Sequence, residues 1–194
     1  MTNNIKRIAR FTPSLSKGFT LVETLVAVLL LSVAIAGPLT IASRGLNAAL
    51  IAKDQVTAFY LAQDAVEYIR FKRDTTCLTN SPCTTWLGSG PSSLSLCASA
   101  NGSAICYVDS IANTIKVTGT SCTGSALRYD STAGRNYYSN GSTGTCSPYK
   151  RTVKIINPLN GRSDEAQLIV TIIWSDVGGT AHNVPVKENL LNWQ

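Results

Sequence analysis

Hydrophobic and polar positions divide the chain into three unlike parts. After a polar, basic start, residues 19–42 form a run of 24 positions dominated by apolar side chains. As a helix, that length crosses a hydrocarbon core of ~30 Å. From Arg44 to about Arg73 the pattern turns amphipathic. Ala42, Leu46, Ala49, Ala52, Val56, Phe59, Ala62, Val66 and Ile69 step by three or four and predict one apolar stripe. Leu50, Leu61, Ala65 and Tyr68 supply a second, less continuous one. Together these stretches predict a single helix from Phe19 to about Arg73, ~80 Å long at 1.5 Å per residue. Gly37-Pro38 lies inside it and predicts a kink or an unwound turn, because proline removes the hydrogen bond to the Ala34 carbonyl.

Residues 75–150 lose this periodicity and are rich in Ser, Thr, Gly and Asn. Within them, Ala104–Asp109 and Thr114–Thr118 predict a short hairpin around Ser110 to Asn113; most of the rest reads as loop, including 121–125 and 139–147. Residues 151–194 alternate. Arg151–Ile156, Gln167–Trp174 and Ala181–Lys187 predict strands, with turns at Asn157–Gly161 and Asp176–Gly179. Pro185 cannot donate to a ladder, which places the last strand at an edge. The expected fold is α+β: a long N-terminal helix packed on a C-terminal antiparallel sheet of three to five strands. The stripe from Val56 to Ile69 and the inward side chains of strand 167–174 would share its core.

Charge sharpens the first part. Lys6, Arg7, Arg10 and Lys17 precede the apolar run, and residues 1–18 contain no acid. They hold 4 of the 17 basic residues, so 13 remain against 11 acids and the net charge falls from +6 to about +2. The remainder is nearly balanced, which leaves little electrostatic case for nucleic-acid binding. Basic residues ahead of the run place the N-terminus in the cytoplasm. The run is longer than a secretory signal core and continues into an amphipathic helix, so it stays in the membrane. Between Lys17 and Arg44 the only formal charge is Glu23. Burying such a carboxylate costs roughly 2.5–3.5 kcal/mol at a membrane helix centre, and less near an end.

Cysteine usage places the later part outside the cytoplasm. Cys77, Cys83, Cys97, Cys106, Cys122 and Cys146 all follow the apolar segment, with no Cys-x-x-Cys pair and a single histidine, His182. Zinc-type spacing is therefore missing and no metal or other cofactor is expected, whereas an even cysteine count in a loop-rich region fits disulfides. Six cysteines permit 15 connectivities. The shortest loops favour 77–83, 97–106 and 122–146, with free buried thiols as the alternative. Two Asn-Gly-Ser triplets, at Asn101 and Asn140, read as chance matches to a glycosylation pattern.

Gly18-Phe-Thr-Leu-Val-Glu23, followed by about twenty apolar residues, resembles the N-terminus of type IV prepilins and of type II secretion pseudopilins. The resemblance implies a division of the chain into five parts. Residues 1–18 would be a cleaved cytoplasmic leader and 19–42 a transmembrane and filament-core helix. Residues 43–74 would extend that helix, 75–150 form the disulfide-bearing loops and 151–194 the sheet. A prepilin peptidase would cut between Gly18 and Phe19 and methylate the new amine of Phe19. Glu23 would then pair with that amine on a neighbouring subunit, and Gly37-Pro38 would be the region that unwinds on assembly. Other pilin subunits and an inner-membrane assembly platform are the implied partners.

Three function classes compete for this chain. A structural filament subunit, most like a minor pilin, leads; a type II secretion pseudopilin is its close alternative. A binding module at a filament tip, for adhesion or DNA uptake, would use Arg128, Arg135, Lys150, Arg151, Lys154 and Arg162 with Tyr129, Tyr137, Tyr138 and Tyr149 nearby. An enzyme has little to support it: there is no Gly-x-Ser-x-Gly and no phosphate loop, and His182 reads as an exposed edge-strand residue.

Overall fold

A computed structural model describes residues 18–79, 83–119, 122, 126–134 and 136–192. The leader's basic residues, Arg135 and most of the loop at 121–125 lie outside the described residues. Helix α1 spans Leu21–Thr79; the strands are β1 (Ala98–Ser99), β2 (Tyr107–Asp109), β3 (Thr114–Lys116), β4 (Ala126–Asp130), β5 (Tyr137–Ser139), β6 (Thr145–Ile156), β7 (Glu165–Ser175) and β8 (Ala181–Leu191). The chain divides into two compact units, Met1–Ala48 and Ala49–Gln194. This is the expected α+β plan of one long N-terminal helix and an antiparallel sheet.

In the first unit the helix is continuous through Gly37 and Pro38, so the unwound turn expected there is not found in this single chain. One missing N–H is a local loss, and the intact turns on either side hold the helix across it. At its other end α1 runs six residues past the expected limit of Arg73, to Thr79. Threonine hydroxyls sustain this last turn: Thr76 donates to the Lys72 carbonyl at 2.8 Å and Thr79 to the Thr75 carbonyl at 2.9 Å. Cys77 is buried in the core and tied to Cys83.

In the second unit the sheet order is β5-β4-β6-β7-β8, with β1 added in parallel to β6. Strand β7 alternates cleanly: Ala166, Leu168, Val170, Ile172 and Trp174 are buried, and the residues between them face outward. β8 is the edge strand that Pro185 predicted, paired to β7 from Glu165↔Leu191 to Ser175↔Ala181. β2 and β3 form the predicted hairpin, whose turn is held by the Asp109 carboxylate accepting from the Ile111 and Ala112 amides at 3.1 and 3.0 Å.

Two expectations need correction here. Segments read as loop supply strands: β4 and β5 were not foreseen, and β6 begins at Thr145 rather than Arg151. Their short, hydroxyl-rich sequences carry little apolar alternation, and pairing to the long β6 makes them strands. Gly144 is required at this corner, because its φ of +90° would set a Cβ 2.5 Å from the Tyr129 carbonyl oxygen.

The second correction concerns the helix face. The core takes Ala58, Leu61, Ala62, Ala65, Val66 and Ile69, whereas Val56 and Phe59 of the predicted stripe are 55% and 53% exposed. The helix is apolar around more than one face in this stretch. Its three fully buried alanines let the helix backbone approach the sheet, and that contact selects the face.

Cysteines pair as Cys77–Cys83, Cys97–Cys106 and Cys122–Cys146, the three short-loop pairs, with Cα separations of 4.9, 5.0 and 5.8 Å. Asn140, in one Asn-Gly-Ser triplet, is buried and donates to the Val108 carbonyl at 2.8 Å, which closes it to glycosylation.

Candidate functional site

Glu23 sits at the third position of α1, one turn from Phe19. Thr20 caps this end: its hydroxyl oxygen accepts from the Glu23 amide at 3.2 Å. Thr-x-x-Glu at a helix start is a capping-box pattern, and the helix N-terminus favours a carboxylate there through its dipole and free amides. Among the described residues, nothing beyond its chain neighbours comes within 4 Å of the position a Cβ would take on Gly18, and Phe19 is 79% exposed.

Each of the four hydroxyls between Phe19 and Ala42 is engaged within its own helix. Besides the Thr20 cap, Thr24 donates to the Leu21 carbonyl at 2.8 Å, Ser32 to Val28 at 2.7 Å and Thr40 to Ala36 at 2.7 Å. Polar groups satisfied this way can enter lipid or a helix bundle at low cost. Every residue from Gly18 to Leu50 is exposed in the single chain. Large apolar side chains such as Leu25, Leu29, Val33 and Leu39 are therefore uncovered. Among the described residues, α1 is the one helix long and apolar enough to cross a membrane. A face of this size calls for lipid or protein to cover it.

Several of the basic and aromatic residues considered for a binding surface are engaged within the head itself. Arg151 is fully buried: it donates to the Leu61 and Val108 carbonyls at 2.9 and 3.0 Å and to Asp64 at 2.6 Å. Arg162 is tied to Asp164 at 2.8 Å and to Glu165 at 3.3 Å. Arg128 donates to the Gly144 carbonyl at 2.7 Å. Tyr149 is buried, and its hydroxyl donates to Asp54 of the helix at 2.8 Å; burial and that carboxylate push its pKa well above the usual phenol value. Tyr68 is pushed up to about 12, first by burial and then by Asp109.

Tyr138, Tyr149 and Trp174 continue a row of rings to His182 at centroid spacings of 5.8, 6.4 and 5.4 Å. His182 is not the exposed edge residue expected: it is half-buried, stacked on Trp174 and 3.1 Å from Asp176. The ties between α1 and the sheet were invisible in sequence. Asp54, Asp64 and Arg70 lie on α1, and each reaches a specific partner; Arg70 meets Glu188 of β8 at 2.7 Å. Among the described residues no cluster of three or more His, Cys, Asp or Glu gathers to hold a metal.

Comparison with known families matches residues 13–37 to the prokaryotic N-terminal methylation motif. No curated protein and no solved structure matches the chain. The motif, the long apolar helix behind it and the disulfide-bearing α+β head fit a type IV prepilin or pseudopilin. Such a precursor is anchored by its apolar helix, is processed by a prepilin peptidase and assembles with other pilins into a pilus-like filament. Pilin-type proteins are structural rather than catalytic.

Proposed function

We propose that this chain is a minor pilin of a type IV pilus-like filament. It is made as a prepilin with its N-terminus in the cytoplasm, as the four basic leader residues dictate. The peptidase cuts between Gly18 and Phe19, and Phe19 becomes the methylated N-terminus. Residues 19–42 then pass from lipid into the filament core, and the head lies outside the cytoplasm, where its three disulfides are stable.

The observation that carries this reading is the placing of Glu23. It is the one charge between Lys17 and Arg44, set at the start of an uncharged, exposed helix inside the methylation motif. Before cleavage the helix N-terminus lowers the cost of the carboxylate. Cleavage creates an amine four residues away, ~6 Å along the axis, and Thr20 remains in place to cap the helix. In a filament the same amine on a neighbour supplies a full counter-charge. That is how assembly is favoured over an isolated helix in lipid.

Mass spectrometry of the protein from cells tests the processing step. The mature chain should begin at N-methyl Phe19; an intact Met1, or a cut after residue 40, would remove the filament reading. Glu23→Ala should be processed normally yet be lost from sheared filaments. A pseudopilin of type II secretion shares these features. The three disulfides in a loop-rich head favour the pilus, and deletion of the gene should abolish piliation while leaving secretion intact. The tip-adhesin reading loses support, since Arg151 and Tyr149 are buried and Arg162 is paired.

A further inference from the structure

We propose that the head carries a saccharide site, made of two adjoining concavities that take a short sugar chain with a carboxylate at the Lys72 end. The site lies wholly within the second unit and does not depend on the filament reading. It shares no residue with the basic and aromatic set considered for a tip surface.

The first concavity, about 320 Å³, is lined by residues 84–88 together with Asn157, Ser163, Asp164 and Asn192. The second, about 390 Å³, lies between the end of α1 and the loop that leads to Leu94. They meet at Thr85 and Gly88, which line both. Half of the lining residues are threonine or serine. Among the described residues, the hydroxyls of Thr75, Thr84, Thr85, Ser89, Ser92 and Ser163 make no bond within the chain. Asn192 adds a buried side-chain oxygen with no partner among the described residues. A sugar hydroxyl both donates and accepts, so it can use every one of these groups.

The walls are fixed before any ligand arrives. Cys77–Cys83 and Cys97–Cys106 tether the loop at its two ends. Within it, Trp86 Nε1 donates to the Ser163 carbonyl and the Ser95 amide to the Leu87 carbonyl, each at 3.1 Å. Gly88, at φ +72°, lets the loop turn closely against Thr76 of α1. Walls held in this way lower the ordering cost of binding.

Charge and apolar content narrow the class of ligand. Lys72 and Asp164 are the charged residues of the lining, and Asp164 is already tied to Arg162 at 2.8 Å. Lys72 stands over the Tyr68 ring at 5.8 Å and has no ion pair among the described residues. One available cation suits one carboxylate, whereas a nucleic acid needs many. Trp86 and Leu94 are buried, and none of the exposed large apolar side chains lines either concavity. A protein partner therefore finds no anchor there, and a lipid chain would leave the hydroxyls unpaired. A sugar chain with one acidic ring meets each condition.

Isothermal titration of the full-length chain in a zwitterionic detergent tests this with two trisaccharides. One is 3′-sialyllactose, which carries a single carboxylate, and the other is the neutral 2′-fucosyllactose. Both should bind saturably, the acidic sugar about tenfold more tightly, as one charge-assisted hydrogen bond implies. Lys72→Gln should abolish that preference and leave the neutral sugar's affinity unchanged. Thr85→Val, at the junction of the two concavities, should weaken both sugars about tenfold. If it also shifts the unfolding midpoint, Ser89→Ala, at an exposed position of the same wall, is read in its place. No saturable binding of either sugar, an acidic preference that survives Lys72→Gln, or parental affinity in the hydroxyl variant would each overturn the proposal.

Discussion

Arg151 shows how much one side chain can organise. It lies on β6 and is fully buried, yet its guanidinium reaches the Leu61 carbonyl and Asp64 on α1 and the Val108 carbonyl on β2. Ser110 adds a bond to the same Asp64 carboxylate at 3.1 Å. A buried charge is most costly when its partner is removed and it stays behind. Asp64→Ala should therefore destabilise the head by about 3 kcal/mol, near the low end for buried pairs because Asp64 is 42% exposed. Arg151→Met, which removes the charge and keeps much of the volume, should cost less; urea midpoints of the two variants give the order. Asp130 is a second such residue. It accepts from the Thr132 amide at 2.9 Å, the Thr132 hydroxyl at 2.6 Å and the Tyr137 hydroxyl at 3.2 Å. The Thr132 bonds, first of these, hold its pKa below the usual carboxylate value. The folded state thus binds this proton less readily than the unfolded chain. Its stabilisation is complete above the unfolded pKa, about 4, and disappears as pH falls through the folded value. A thermal midpoint measured against pH should fall less steeply below pH 4 in Asp130→Asn than in the parent protein.

Among the elements, the three disulfides hold the region that cannot order itself by apolar burial. Cys77–Cys83 pins the last turn of α1, Cys97–Cys106 joins the short turn at Leu94–Cys97 to the segment entering β2, and Cys122–Cys146 closes the longest loop, onto the start of β6. Chain entropy makes the longest closure the most stabilising. Replacing Cys122 and Cys146 together by serine should cost about 3 kcal/mol, and the Cys77–Cys83 pair about 2 kcal/mol. Denaturant unfolding under oxidising conditions measures both. The same three bridges explain why β4 and β5 escaped the sequence pattern: in a tethered polar stretch, strand formation follows from the availability of β6 as a partner. The helix misassignment has another source. Periodicity reports that a face is apolar, and around residues 56–62 more than one face is.

At the scale of the molecule, the two compact units carry different tasks. The first offers a helix that is uncharged from Thr24 to Ser43, with the hydroxyls between Phe19 and Ala42 satisfied and one acid at its start; the second has a continuous core of α1, β6 and β7. Because that core lies within Ala49–Gln194, a chain of residues 49–194 should fold and unfold cooperatively without the apolar segment. Circular dichroism and size exclusion check this; a molten or aggregated product would show that the head depends on residues before it. The proposed cleavage after Gly18 would change charge as well as length, taking the net from +6 to about +2. The mature protein should focus at a lower pH than its precursor.

The sequence alone determined the long helix, the membrane-length run, the N-terminal methylation motif over residues 13–37, the alternating strands β7 and β8 and the edge position of Pro185. Each depends on local chemistry or on a period readable within a dozen residues. Tertiary structure decided which helix face is core, that β4 and β5 are strands, that Arg151 is a buried strut and not a surface cation, and that helix α1 passes unbroken through Gly37-Pro38. Those outcomes depend on which partner a segment meets across the fold. They turn on packing distance and on the hydrogen bonds of groups far apart in the chain, and no local pattern records either.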